Sequence, residues 1–357
     1  MNFSDVLIPA SGISAEQWQL GYRISKELHP GGVALIFASD FRGAGLGGGL
    51  CNFSTVRENL YRLSCADFEI PISDLGDLRT GQSSEDTNYI LQEVLLTCIR
   101  QKALPVIVGG SEDLSYPLCK AVCSIREETS YTHISSKVSL KAEDGMLSSG
   151  NFFHRILGGK EFSLKNVHLL GLQSYLNDWE SVALLADIGV DAVRLSEMAG
   201  SPERCEPYFR RADLVTISCD AVESFCGEFS IHPQVNGLGR REVCAYMKEA
   251  GLSENLKAAG VFNFNFFSEN TLNHQLLAQM IWHLIEGINI RRTHPQEKNF
   301  ETYYVLAGDN EYAFHKEVFS GLWYFGNSMD EGQWLPCSRM DFEDAKRGFI
   351  KPKFLEK

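Results

Sequence analysis

Residues 104–117 read LPVIVGGSEDLSYP. An apolar run of buried-strand type stops at two glycines, an acid pair follows at Glu112 and Asp113, and a helix is expected just beyond. A strand that turns through glycines into a helix places polar side chains at the carboxyl end of the strand, where α/β sheets meet their ligands. Glu112 is therefore a candidate site residue, and Asp113 is expected to act as a turn or helix-start residue.

The same alternation extends in both directions. Strand-type runs fall at 33–39 (VALIFAS), 68–77 (ending in DLGD), 131–140, 167–175, 190–195, 214–222 and 260–267. Helical periodicity separates most of them, at 84–102 with Ser84 as the expected N-cap, at 240–250 and at 271–288. Repeated β–α units predict a three-layer α/β/α sandwich around a mainly parallel sheet of about eight strands. From about residue 295 the pattern changes. Runs at 303–306, 312–318 and 322–325 read as antiparallel strands joined by GDN and FSG turns, and Ser338 is expected to cap a short helix with Asp341 in its first turn. The expected organisation is an α/β domain over 1–295 and a small β-rich extension over 296–357, packed on the same domain.

Bulk properties narrow the function. The 357 residues carry a formal charge of −13. So acidic a chain argues against nucleic acid and anionic membrane as partners, since both attract basic patches. No apolar run reaches the roughly eighteen residues of a membrane helix, and MNFSDVLIPASGIS has neither the basic region nor the apolar core of a signal peptide. The ten cysteines form no CxxC pair, and several lie in apolar runs, as reduced buried thiols of a cytoplasmic protein do.

Single motifs offer little chemistry. Residues 43–48 satisfy GxGxxG, with Asp67 and Glu69 near the acidic position of a dinucleotide fingerprint, but SDFR separates the glycines from the strand and the next helix is delayed to about Thr55. None of the nine histidines pairs as HxH or HExxH, and His133 and His168, the two in strands, have no acid within two residues; all nine are expected to be ordinary core or surface side chains. GxSxG is absent, Ser149 lacks an elbow context, and Cys219 beside Asp220 is expected to pack rather than attack. Three places remain where an apolar run turns polar at its carboxyl end: 109–113, 133–140 and 217–224.

FRGAGLGGG with VRENL, then DLGD, then PVIVGGSEDLSYPL, the run at 214–222 and finally NHQLLAQMIWHLIEGI occur in the order in which they occur in ureohydrolases. From about residue 33 to 290 the chain resembles that family of arginase, agmatinase and especially formimidoylglutamase. Its C-terminal stretch, including LPCSRMDFEDA, is similar to the extension of a divergent bacterial branch of formimidoylglutamase-like proteins. The resemblance implies an arginase-like fold, trimers or hexamers, and two manganese ions sharing a hydroxide that attacks a guanidino or formimino carbon, the hydrolysis of a non-peptide C–N bond of a linear amidine. The ligands it implies are largely missing. The family's histidine after the paired glycines falls on Glu112; the ligands of Asp-Ala-His-x-Asp fall on Ser135, Lys137 and Ser139; the aspartates of Ser-x-Asp-x-Asp fall on Asp220 and Val222; the glutamate of ExNP falls on Asn263. Of six ligand positions one keeps its residue. An ammonium at Lys137 repels a dication by several kcal/mol at close range; it either pairs with Glu112 or Asp220 or snorkels to solvent. The expectation is a homo-oligomeric pseudoenzyme with a degenerate manganese site and no cofactor, holding a small-molecule ligand or serving as a scaffold. The alternative is an active formimidoylglutamase-type hydrolase with manganese held by Glu112, Asp220 and Glu223. Nucleotide binding at 43–48 is a third reading.

Overall fold

A computed structural model describes residues 2–47, 51–141, 145–200, 202–224 and 227–355. Its centre is a sheet of nine strands: β1 (Leu7–Ile8), β2 (Val33–Phe37), β3 (Ile72–Leu78), β4 (Leu104–Val108), β5 (Thr129–Ile134), β6 (Leu164–Leu172), β7 (Val190–Arg194), β8 (Leu214–Ser218) and β9 (Ala258–Phe262). Their order is β1-β3-β2-β4-β9-β8-β5-β6-β7. Eight strands run parallel, and the two-residue β1 lies antiparallel along β3.

Strand periodicity divides the core between the two faces of the sheet. Along β2, Val33, Leu35 and Phe37 join one apolar cluster with the helices Ser54–Tyr61, Arg240–Leu252 and Thr271–Arg291. Ala34 and Ile36 join another with Ser84–Arg100, Ser115–Cys123 and Phe152–Gly158. Every residue of β2, β4, β5, β8 and β9 is buried. This is why these strands read as unbroken apolar runs instead of alternating ones. The chain thus forms the expected three-layer sandwich.

Several ends differ from expectation. Ser83, not Ser84, caps the helix Ser84–Arg100: its hydroxyl accepts from Asp86 N at 3.0 Å, and the Asp86 carboxylate accepts from Ser83 N at 2.8 Å. That reciprocal box needs an acid three residues after the cap, and only Ser83 has one. The run at 131–140 stops as a strand at Ile134, that at 214–222 at Ser218, and that at 260–267 at Phe262. Beyond Ser218 a 3-10 turn spans Cys219–Ala221, so Cys219 lies in a turn and not in a strand; beyond Phe262, Asn263 adopts φ +60°. The 68–77 run begins to pair only at Ile72, after Pro71, which has no N–H for a ladder. Glycine 48 lies outside the described residues; among the described residues no helix begins after Gly45 until Ser54.

The extension is a four-stranded antiparallel sheet, β10 (Phe300–Ala307), β11 (Asn310–Glu317), β12 (Trp323–Phe325) and β13 (Leu335–Cys337), the last not anticipated. The helix Arg339–Lys346, capped by Ser338 with Asp341 as expected, closes a cluster of Val305, Phe314, Trp323, Phe325 and Ala345. Arginines dock it on the larger body. Buried Arg210 donates to the carbonyls of Trp323 and Cys337 while paired with Glu206. Arg211 donates to the carbonyls of Glu331, Gly332 and Trp334. Lys298 bridges to Glu254 at 2.5 Å.

DLGD and VRENL meet in one buried network. Arg57 donates through Nε to Asp74 at 2.6 Å and through Nη2 at 3.0 Å, and reaches Asp77 at 2.6 Å. The Tyr61 hydroxyl donates to Asp74 at 2.8 Å, and the guanidinium stacks 4.0 Å above the Phe37 ring. Removing one partner of such a pair strands the other charge in the core. Arg57→Met is expected to lower unfolding stability by about 3–5 kcal/mol in urea titrations. A loss below about 1 kcal/mol would show that the network contributes little.

Candidate active site

The paired glycines at 109–110 let β4 end abruptly. Both have positive φ, +98° and +74°, and a Cβ on Gly109 would lie 2.5 Å from the Ala38 carbonyl oxygen. No other residue type fits that approach. The chain then turns through the 3-10 segment Glu112–Leu114 into the helix Ser115–Cys123. Glu112 is thereby aimed across the carboxyl edge of the sheet. β4, β9, β8 and β5 are consecutive neighbours. Residues just past their ends, Glu112, Asn263, Asp220 and Ser135, therefore share one crevice although they are far apart in sequence.

Asn263 ties three of these strand ends together. Its amide oxygen accepts from Glu112 N at 3.0 Å, and its Nδ2 donates to Ser218 Oγ at 3.1 Å and to Asp220 Oδ2 at 3.0 Å. Its own N–H donates to the Gly110 carbonyl at 2.8 Å. Asparagine suits this place because it tolerates left-handed backbone better than other side-chain-bearing residues.

Two carboxylates share the crevice. Glu112 is buried, and its acidity is pushed up from 4.5 to about 8, first by burial and then by the nearby Asp220 carboxylate, with a small opposing contribution from Lys137. Glu112 Oε2 and Asp220 Oδ1 are buried oxygens without a hydrogen-bond partner. Below Glu112 lies His133, with Nε2 at 3.9 Å from Oε2 and Nδ1 at 2.7 Å from Thr216 Oγ1. Burial among Tyr131, Phe152 and Phe153 pushes the imidazole down to about 3, so it stays neutral. Asp113 is also buried, raised to about 6 by loss of solvent, and accepts from the Ser149 hydroxyl at 3.1 Å. It is thus a core acid as well as a turn residue.

The other predicted positions are equally specific. Ser135 is buried, and its hydroxyl accepts from Lys137 N at 3.3 Å. Ser139 is buried, and its carbonyl accepts from His154 N at 3.1 Å. Asn177 holds the intervening loop through Val138 N at 2.7 Å and the Ser136 carbonyl at 2.9 Å. Lys137 is half-buried and makes no ion pair with Glu112 or Asp220 among the described residues. Val222 is fully buried in the apolar cluster beneath the sheet. Glu223 lines a separate small cavity with Arg240, Asn273 and Gln279. Cys219 is packed without exposure, its thiol raised by burial.

Sequence reading missed His232. Its Nδ1 lies 3.1 Å from Asp220 Oδ2. The contact forms because the chain returns along β9's end, through a bridge between Ser230 and Phe264 and a bond from Ile231 N to the Asn263 carbonyl at 2.9 Å. The twelve-residue spacing from Asp220 carries no signature of that return. His133 and His232 are thus members of the crevice, contrary to the expectation of nine ordinary histidines.

A model of the arginase family matches residues 44–285, well over half of the chain, and the chain belongs to the arginase family. Solved structures of similar fold include a formiminoglutamase from Trypanosoma cruzi crystallised with Mn2+, at 18% identity and TM-score 0.65, covering 74% of this chain and 94% of that one. Another is a formimidoylglutamase from Bacillus subtilis, at 16% identity and TM-score 0.65, covering 81% and 92%. A third is the proclavaminate amidino hydrolase of Streptomyces clavuligerus, at 15% identity and TM-score 0.63, covering 75% and 95%. A search of curated proteins gives no match. No helix of the described residues is long and apolar enough to cross a membrane.

The donor set can be weighed against a manganese pair. Among the described residues no three His, Cys, Asp or Glu side chains gather closely enough to hold a metal ion. Hydroxyls, an ammonium and a buried valine fill the remaining positions, a set that does not fit two hard dications.

Holding a proton on Glu112 has a measurable consequence. The folded chain keeps that proton up to about pH 8, whereas the unfolded chain releases it near 4.5. Between those values the unfolded state binds fewer protons, so folding stability falls as pH rises, by up to about 1.4 kcal/mol per pH unit. Glu112→Gln is expected to remove that slope and to gain on the parent protein from pH 5 to 8 in denaturant titrations. Parallel curves for the two proteins would refute the shifted acid.

Proposed function

We propose that this arginase-family chain has lost the dimanganese centre and acts as a pseudoenzyme, a homo-oligomeric protein that binds a small molecule at the former active site or serves as a scaffold. One observation carries the reading. The positions where the family resemblance implies metal ligands hold Ser135, Lys137, Ser139 and Val222, and of the two acids left Asp220 is engaged with Asn263 and His232, while Glu112 is buried with its acidity pushed up. A protonated Glu112 is a hydrogen-bond donor and a poor ligand for a dication. Neutral donors and acceptors around one retained carboxylate suit recognition of a polar ligand better than charge-driven hydrolysis.

A second reading is a formimidoylglutamase-type hydrolase with an altered manganese site. The two orphaned oxygens, Glu112 Oε2 and Asp220 Oδ1, favour it, because a cation would satisfy both. Glu223, the third ligand that reading needs, faces the cavity of Arg240 instead.

Metal content and turnover separate the two. Protein purified with manganese and dialysed is expected to hold far less than one ion per chain, and to release neither formamide from N-formimidoylglutamate nor urea from guanidino compounds. Stoichiometric manganese, with turnover abolished by Glu112→Gln, would restore hydrolysis as the function.

A further inference from the structure

A second cleft lies at the opposite edge of the sheet, between the amino ends of β5 to β8 and the C-terminal extension, with a volume of 1860 Å³. Lys353, His168, Asp191 and Tyr208 line it together. The Lys353 ammonium rests on aromatic surface, 4.4 Å from the centre of the Tyr208 ring and 5.5 Å from that of Phe354. Its polar contact is the Tyr208 hydroxyl at 3.4 Å, and no carboxylate pairs with it among the described residues. The nearby acid Asp341 is taken by Lys351 at 2.6 Å. On the other side of Tyr208, the His168 ring packs edge-on at 5.0 Å, with Nδ1 on the Thr132 hydroxyl at 3.0 Å and Nε2 3.8 Å from Asp191.

We propose that the Lys353 amine is a nucleophile for small aldehydes or ketones that enter this cleft. A desolvated lysine set on aromatic rings, with no ion pair among the described residues, is an arrangement that frees an amine for imine formation. Burial, and to a lesser extent Lys351 two residues away, lower the affinity of Lys353 for its proton, although Asp191 and Asp341 oppose this. The neutral Nζ attacks the carbonyl carbon; a C–N bond forms, and the C=O π pair moves to oxygen, which takes up a proton. The carbinolamine then loses water: the C–O bond breaks, nitrogen gives up its remaining proton, and the products are an imine and water. Burial keeps the His168 imidazole neutral, pushed down to about 4, so it is able to accept a proton beside the Asp191 carboxylate.

Reductive trapping tests this on the intact protein. With limiting propionaldehyde and cyanoborohydride at pH 7, peptide mass mapping is expected to find Lys353 alkylated on the order of tenfold faster than the half-exposed Lys165 and Lys346. In urea that advantage is expected to vanish. Labelling of Lys353 no faster than that of Lys165 in the folded protein would overturn the proposal. So would an advantage that persists in urea, since it would then belong to local sequence and not to the cleft.

Discussion

One carboxamide organises the crevice. Asn263 reaches the backbone of Glu112, the hydroxyl of Ser218 and the carboxylate of Asp220, and so joins the carboxyl ends of three adjacent strands. Such bonds inside a low-dielectric core are worth more than their solvent-exposed counterparts, and each leaves a stranded partner if it is lost. The family resemblance implies a glutamate at this position. An acid there would add a negative charge beside Asp220 and the buried Glu112; an amide adds none and supplies two donors.

Two parts of the sheet solve different electrostatic problems. At the carboxyl edge, the clustered acids are offset by a proton kept on Glu112 and by polar, uncharged groups at Ser135, Ser139 and Asn263. Beneath them the neutral His133 completes a chain through Thr216 to the Tyr131 hydroxyl, each link 2.7 Å. Along the flank formed by β2 and β3, Arg57 supplies the fixed cation that Asp74 and Asp77 require. A charge that is always present stabilises structure there, whereas a titratable one governs the crevice.

How much of this was legible in the sequence follows from the length scale of each feature. The parallel strands were readable because strands covered on both faces are continuous apolar runs. Their ends were overextended, because an apolar residue such as Val222 stays buried after the strand has stopped. β1 and β13, of two and three residues, hold too little pattern to read. The crevice positions Glu112, Ser135, Asp220 and Asn263 were found from strand ends and from the resemblance. His232 was not, since its contact with Asp220 depends on a loop returning along another strand. Whether Lys137 pairs or snorkels was open from sequence; its half-buried side chain, free of an ion pair to either acid, fits neither extreme fully.

The docking of the extension rests on an unusual choice of acceptors. Arg210 and Arg211 seize main-chain oxygens of Trp323, Glu331, Gly332, Trp334 and Cys337, and their guanidinium groups also lie over the Tyr324 ring, at 4.6 and 5.4 Å. Every amino acid carries such an oxygen. Those five bonds ask only that the backbone keep its path, whereas the stacking on Tyr324 and the contacts of Tyr324 and Lys298 with Glu254 ask for particular side chains. Drift elsewhere in the extension's surface can then proceed without loosening its hold on the sandwich, and the two arginines with Tyr324 and Lys298 become the constrained parts of the joint.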